Sequence, residues 1–462
     1  MFPSNRDMLS DFSVRGTWWL TPNSQDQVSG TLRFSNDRIE LQLDRAFFDG
    51  GLASAWGIGG FRADVILGQT TDNQRCSLHG VFFRGWSGQE PILVVQHLLF
   101  GAHITQNETL PDRKALVEYT GLEEWAAQHF VEERTDEATG KQVFSVSLFR
   151  EVSLSIPGNP PLKQLELHTS AHSHSERTKT TLTYKSEFVV TFGCSVSVAQ
   201  VVDCIRKISN LLALLMGVPV YPRTIRLMSA TEHGSAQPPI DLLLALRAGP
   251  VRKKSSFEMI LPLNALGPSR ANQLFERWFS SDDLLRPVCD LLLSTVYNPS
   301  LYVQSTFLTL TQAIESFHRR VHGGVYVSKE EYDLLKRSLA DAIPIDTDDD
   351  LKAKLTVTLE YANEFSLPKR LKNLFATIDH EHLIGILGSE DVKEFIRLIV
   401  DVRNYLTHYD ESKRRSVLSS LPAMYNLNQR LKTILVLLVL KHVGVEENYV
   451  FLPLKGQMGL TQ

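Results

Sequence analysis

The chain has 462 residues, 48 Lys and Arg against 52 Asp and Glu, and a formal net charge of −4. That length admits two or three domains with a substantial core, and the balance excludes a globally basic nucleic-acid binder, so any RNA contact must be a local patch. Four scattered cysteines, Cys76, Cys194, Cys204 and Cys289, form no C-x-x-C pair. Their spacing argues against a disulfide framework or zinc ribbon and fits a reducing cytoplasm.

The opening MFPSNRDMLS lacks the apolar core of a signal peptide, and the apolar runs near 211–220 and 434–440 are too short to cross a bilayer. A cytoplasmic protein with no membrane partner is expected. From about Phe12 to Thr191 the pattern is mostly strand. The run 28–34 alternates, turns at Asn36-Asp37 and resumes at 39–43, as a one-face-buried antiparallel sheet does. Similar runs follow at 63–68, 75–83, 92–99, 143–148 and 181–191, with a helix near 121–130. His168, His172 and His174 fall in a Ser/Thr-rich stretch; a metal site is one reading, and a solvated loop is favoured because no second ligand group stands beside them.

Residues 196–296 read as a mixed connecting region. A helix at 196–217 is followed by extended runs at 218–228 and 257–261, then helices at 271–279 and 282–294. From 297 to 450 the chain is helical. Val303, Phe307, Leu310, Ile314, Phe317 and Val321 keep one stripe, and further helices are expected at 329–340, 350–361, 369–377, 391–406 and 414–442. The acidic run 346–350 lacks the Gly and closing Glu of a calcium loop and suits a helix N-terminus. The expected fold is α+β and multidomain: a β-rich antiparallel part over 1–195, the connecting region, and an all-α bundle over 297–450.

The stretch that carries chemistry is 391–410, DVKEFIRLIVDVRNYLTHYD. Arg403 ends the apolar row of Ile396, Ile399 and Val400, where a guanidinium is costly unless an anion pairs with it. His408 follows five residues on, about 140° around an unbroken helix, so the two converge only if the helix loosens near Thr407. The residues 409–412 read as a helix end or a new N-cap. Arg226 and His233 have a comparable spacing but lie in an extended run and a Gly/Ser loop. On the first bundle helix Glu315, His318 and His322 stand at i, i+3 and i+7. A metal-bundle reading of that face needs a second Glu-x-x-His helix, and none is visible. A purely structural reading pairs Arg403 with Glu315 or Asp401 and leaves His408 at a helix end.

Arg403-Asn404-Tyr405-Leu406-Thr407-His408 resembles the Arg-x4–6-His motif of the HEPN superfamily. Ala313-Ile314-Glu315 with His318-Arg319-Arg320 resembles the first helix of the ApeA-like HEPN domain, and Lys369-Arg370-Leu371 with Leu374 its middle helix. The Gly16, Trp18, Pro22, Gly30, Leu32, Ile39, Leu41, Leu43 pattern, continued by 65–68, is similar to the N-terminal domain of ApeA-type defence proteins.

The resemblance implies a metal-independent endoribonuclease of an abortive anti-phage defence system, needing no cofactor. Arg403 would hold the phosphorane, His408 would move the proton, and Asn404 would bind phosphate or orient the histidine. Glu315 and His318 would support them, and Arg319, Arg320, Lys369 and Arg370 would be weaker RNA contacts. RNA, with transfer RNA among the candidates, is the expected substrate, a homodimer the expected assembly, and a phage-derived trigger the expected ligand of the N-terminal domain. Trp18, Trp19, Trp56 and Trp86 are its candidate aromatic anchors. The alternatives are a non-catalytic HEPN module that binds RNA or a protein, and a metal-dependent phosphodiesterase built on Glu315, His318 and His322.

Overall fold

The structure, a computed structural model, describes residues 6–21, 23–47, 61–105, 109–110, 113–126, 131–136, 139–146, 152–155, 161–229 and 238–458. Trp56 and His233 lie outside the described residues. The chain divides into two compact units, Met1–Ser280 and Ser281–Gln462.

The first unit is built on antiparallel pairing. Strands β1 (Phe12–Leu20), β2 (Asn23–Ser35), β3 (Arg38–Leu43), β4 (Arg62–Thr70), β5 (Arg75–Ser87) and β6 (Glu90–Phe100) pair in the order 6-3-2-1-4-5, and β5 pairs with β6 again. Those six strands therefore close into a barrel, which removes their free edges. Trp18 fills its interior at 0% exposure and donates from its indole to the Gly30 carbonyl at 3.2 Å. A Cβ on Gly68 would stand 2.1 Å from the Trp18 ring. Glycine there is the condition for a tryptophan inside so narrow a barrel. Trp18 is thus a core residue and not an exposed anchor. Trp19 is half-buried against the edge of His103, and Trp86 is exposed.

The sheet continues past the barrel because β6 is longer than its partner. Its residues 92–95 pair with β3, and 97–100 pair with β14 (Ile240–Leu244). From there the order runs through β13 (Pro222–Ser229), β7 (Arg113–Tyr119), β12 (Thr180–Phe192), β11 (Leu162–Ser175) and β10 (Val152–Ser155). Strands β8 (Val131–Thr135) and β9 (Gln142–Val146) form a separate pair. So 222–229 and 240–244, from the expected connecting region, join the large sheet. His168, His172 and His174 belong to β11 and not to a loop. The run expected as extended at 257–261 begins instead with a short 3-10 turn, Ser256–Glu258.

Helix α1 (Leu122–Ala126), helix α2 (Val198–Met216) and helix α3 (Leu263–Ser280) accompany the sheet. Ser197 and Gln200 form a reciprocal cap at the start of α2, and Gly217 ends it in the left-handed conformation. Trp125 on α1 donates to the Leu261 carbonyl at 3.0 Å.

The second unit is all helix among its described residues, apart from short 3-10 turns and one isolated bridge. It comprises α4 (Asp282–Tyr297), α5 (Val303–His322), α6 (Lys329–Asp341), α7 (Asp349–Tyr361), α8 (Leu367–Phe375), α9 (His380–Leu387), α10 (Val392–His408), α11 (Leu421–His442) and α12 (Glu447–Gln457). The stripe on α5 buries Phe307, Leu310, Ile314 and Phe317 against α4, α8, α10 and α11. The acidic run 346–350 does supply a helix cap: Asp348 accepts from the Leu351 amide at 3.0 Å. No helix among the described residues is long and apolar enough to cross a membrane.

Candidate functional site

Helix α10 buries Phe395, Ile399 and Val402. Its Asp391 N-cap accepts from the Glu394 amide at 2.9 Å. The helix does not loosen near Thr407, as convergence of Arg403 with His408 requires. It runs unbroken through His408, the Thr407 hydroxyl donates to the Arg403 carbonyl at 2.7 Å, and Tyr409 closes the helix with φ of 53°. Asp410 then caps a 3-10 turn at Glu411–Lys413. Helix geometry therefore leaves Arg403 and His408 of one chain pointing about 140° apart.

Arg403 is half-buried and donates from Nη1 to Asn404 Oδ1 at 3.1 Å. The carboxylates expected as its structural partners are engaged elsewhere. Asp401 accepts from Arg415 at 2.7 and 2.9 Å, and Glu315 lies 3.5 Å from Arg319. Among the described residues no carboxylate lies within 4.0 Å of Arg403, and His408 is exposed with no hydrogen-bonding partner. Arg403 keeps further N–H donors and Asn404 its amide N–H2 beside this one hydrogen bond, a donor set suited to phosphate oxygens.

The residues assigned to support this pair form a second cluster. His318 on α5 and Arg370 on α8 are each 1% exposed. Arg370 donates to the carbonyls of Phe365 at 2.9 Å and Gly323 at 2.8 Å, to His318 Nδ1 at 3.1 Å, and pairs with Glu364 at 3.4 Å. Because a guanidinium can only donate, His318 Nδ1 must accept and its proton sits on Nε2, which is buried and makes no hydrogen bond among the described residues. Burial first, then the charges of Arg370 and His322, hold the His318 pKa down at about 4. A Cβ on Gly324 would meet the Phe365 ring at 2.6 Å, so that turn needs a glycine to close.

Arg370, expected at the surface as a weak RNA contact, is thus buried and fully engaged within the bundle. Arg319 bridges Glu315 and Glu364, the latter at 2.7 Å, and Arg320 donates to the Leu284 and Asp283 carbonyls at 2.6 and 2.5 Å. Both are already engaged within the bundle, although each keeps an exposed part. Lys369 lies over the Phe365 ring at 5.3 Å. Among the described residues no three His, Cys, Asp or Glu side chains converge as a metal site needs. Sequence reasoning missed a depression of about 460 Å³ lined by Asp379, His382, Lys441 and Glu447. There His382 lies 3.1 Å from Glu447 and stacks on Phe451 at 4.2 Å. Its helix α9 has only eight residues, too few to show a period.

A closed antiparallel barrel extended into a larger sheet, followed by a helical bundle with an outward Arg-Asn and His on one helix, defines a two-part HEPN-containing protein. The family comparisons agree: residues 13–278 match ApeA N-terminal domain 1, and residues 308–449 match Apea-like HEPN. The first match alone spans more than half of the chain, and the chain belongs to the ApeA family. No curated protein and no solved structure matches it.

Proposed function

We propose that the protein is a metal-independent endoribonuclease acting as a dimer. The observation that supports this most is Arg403: a half-buried cation beside Asn404 with no carboxylate within reach among the described residues. Half-buried guanidinium groups without an acid are costly to keep, and a phosphate ligand relieves that cost. In RNA cleavage the 2′-hydroxyl oxygen attacks its own phosphorus, a base takes the hydroxyl proton, and the 5′-oxygen leaves with a proton from an acid. Arg403 and Asn404 donate to the equatorial oxygens as they gain charge, and His408 serves as base or acid. Divergence of Arg403 and His408 within one chain, and the need for both an acid and a base, call for motifs from two protomers.

In this reading the role is abortive defence in the cytoplasm against phage. The sheet unit senses a phage-derived trigger and restrains the bundle until it binds. RNA is the substrate, with exposed loops such as transfer-RNA anticodons the accessible class. Purified protein incubated with total RNA should cut it equally with and without EDTA, leaving 2′,3′-cyclic phosphate and 5′-hydroxyl ends. Chelator-sensitive cutting or 5′-phosphate ends would refute the mechanism. The second reading, a HEPN module that binds RNA or a protein without cutting, is favoured by the same divergence. Its signature is RNA retention that Arg403→Ala weakens, with no cleavage under any condition.

A further inference from the structure

Helices α2, α9 and α10 end alike, each on one residue in the left-handed conformation. On α2 and α9 that residue is a glycine, Gly217 and Gly388, as the conformation favours. On α10 it is Tyr409, at φ 53° and ψ 34°, with its amide donating to the Tyr405 carbonyl at 2.6 Å. A residue with a Cβ is strained there, and a bulky one without the local side-chain hydrogen bond of Asn or Asp has nothing to offset it. Burial does not compensate either, because Tyr409 is 71% exposed. Strain kept at an exposed ring marks a side chain placed for a contact outside the chain.

Helix spacing fixes what the ring stands beside. Asn404 and His408 are four residues apart, Tyr405 and His408 three, and Tyr405 and Tyr409 four, so these side chains share one face of the last turns. Asn404 joins that face to Arg403. The Tyr405 and Tyr409 rings meet edge to face with centroids 5.6 Å apart, and the Tyr405 hydroxyl reaches Glu411 at 3.5 Å. Tyr405 therefore braces Tyr409 from one side and leaves most of the ring in solvent.

Size and charge select the occupant. In the exposed run 407–414 Tyr409 is the only large hydrophobic side chain. One ring is far less than the ~800 Å² that a partner protein takes from a standard interface. It matches one nucleobase, whose face stacks on tyrosine when RNA is unpaired. The charges of the run cancel, Asp410 and Glu411 against Lys413 and Arg414. Asp410 caps the Ser412 amide at 3.0 Å, and Glu411 lies 3.5 Å from Arg414. The run does not draw in a phosphate backbone by charge, so a base contact is what it adds to the phosphate donors of Arg403 and Asn404.

We propose that Tyr409 is the stacking platform for a nucleobase flanking the scissile phosphate, which makes the substrate class RNA unstacked at the cut, in single strands or loops, and not duplex. The inference rests on the proposed cleavage site and adds the contact that holds the nucleotide beside His408. Stacking tolerates any base, so Tyr409 demands an unstacked base and reads no base edge.

A cycle of two changes tests it, on the full-length protein and a short single-stranded RNA in which the wild-type cut has been mapped. One change is Tyr409→Gly, which relieves the left-handed residue and removes the ring. The other is an abasic ribonucleotide on one side of the cut or the other, which keeps its 2′-hydroxyl. Tyr409→Gly should melt at or above the wild-type temperature, keep the wild-type mass in light scattering, and lose about 5–100-fold in kcat/KM. Tyr409→Phe should restore most of that loss. Removing the stacked base should cost the wild type a similar factor and cost Tyr409→Gly little.

Cleavage by Tyr409→Gly at the wild-type rate, or two losses that multiply in full, overturns the platform and leaves the cleavage reading standing. A Tyr409→Gly loss that comes with a lower melting temperature or an altered chain mass assigns the ring to the fold or to a protein interface, and overturns the platform as well. A wild type that cuts no RNA overturns both.

Discussion

The helical unit holds two arginine–histidine neighbourhoods, and they are built on opposite terms. Around Arg370 the guanidinium donates to two carbonyls and to His318, pairs with Glu364, and is closed from solvent. Arg403 makes, among the described residues, one side-chain hydrogen bond, to Asn404, and His408 further along the same helix is left in the open. The same two residue types thus serve as a clamp in one place and as an unengaged donor set in the other. Satisfied hydrogen-bonding capacity marks structure, and unspent capacity at a rim marks the place where a ligand can be bound. That contrast is the ground on which the proposed function rests on Arg403, Asn404 and His408 and not on His318 and Arg370.

The sharpest way to break the comparison is to remove the open pair. His408→Ala should lower cleavage by about 10²–10⁴-fold, the usual worth of a general acid or base. Arg403→Ala should cost about 10²–10³-fold, as loss of a donor to a developing oxyanion does. Neither change should move the melting temperature beyond error, because neither side chain is clamped. Full activity in a folded His408→Ala protein would overturn the enzymatic reading. Asn404→Ala should cost less than either, since its amide nitrogen acts beside Arg403 and not in its place.

Removing the closed pair should do the reverse. Arg370→Ala leaves Glu364, two carbonyls and His318 without their donor in a buried corner, and should destabilise the helical unit by about 3–5 kcal/mol. Arg370→Lys should rescue little, because one ammonium cannot reach acceptors spread around a planar fork. Denaturant unfolding followed on that unit reads the effect. An Arg370→Ala protein that keeps its stability but loses cleavage would place Arg370 in the chemistry and erase the contrast. Mixing His408→Ala with wild-type chains gives an intermediate effect. Where two protomers share one cleft, activity should fall below simple dilution, and a linear fall would argue for independent chains.

Sequence periodicity found most of this architecture, and its failures have physical causes. The alternation of β2 and β3 and the stripe on α5 follow from one buried face, which a sequence displays directly. Strand β11 was hidden because 168–175 carries no buried residue, so it has no apolar period to read. Barrel closure depends on β6 serving β5 on one side and β3 then β14 on the other, a register that no local pattern encodes. At the site, the position of Arg403 at the end of an apolar row was legible, and its lack of a carboxylate was not. The burial of Arg370 was missed because Lys369-Arg370 looks like a solvated pair. Its place in the row of Leu371, Leu374 and Phe375 puts it in the core instead.

The smallest effect expected is a pH dependence centred on the clamp. His442, held below its ordinary value by burial and by His322 and packed on Phe317 of α5, adds in the same direction. Burial and the charges of Arg370 and His322 hold His318 at about 4, with only the Gly323 carbonyl acting the other way. In the unfolded chain the same imidazole titrates near 6.5. Between those values the unfolded state binds more protons, so this group's stabilisation is complete above about 6.5 and drains away as pH falls toward 4. The protection of the α5 and α8 amides against hydrogen exchange, taken relative to the intrinsic rate at each pH, should therefore fall from pH 7 to 5. His79 in the barrel is also held at about 4, by its own burial and by His97, so a global melt would mix the two and a local readout is needed. His318→Asn keeps an acceptor where Nδ1 meets Arg370 and removes the titration. Its α5 and α8 amides should keep most of their protection as pH falls, while Arg403 and His408, which among the described residues share no hydrogen bond or ion pair with this cluster, should cut RNA at the wild-type rate at pH 7. If acid sensitivity persists unchanged in His318→Asn, the protonation that opens the clamp belongs to another group.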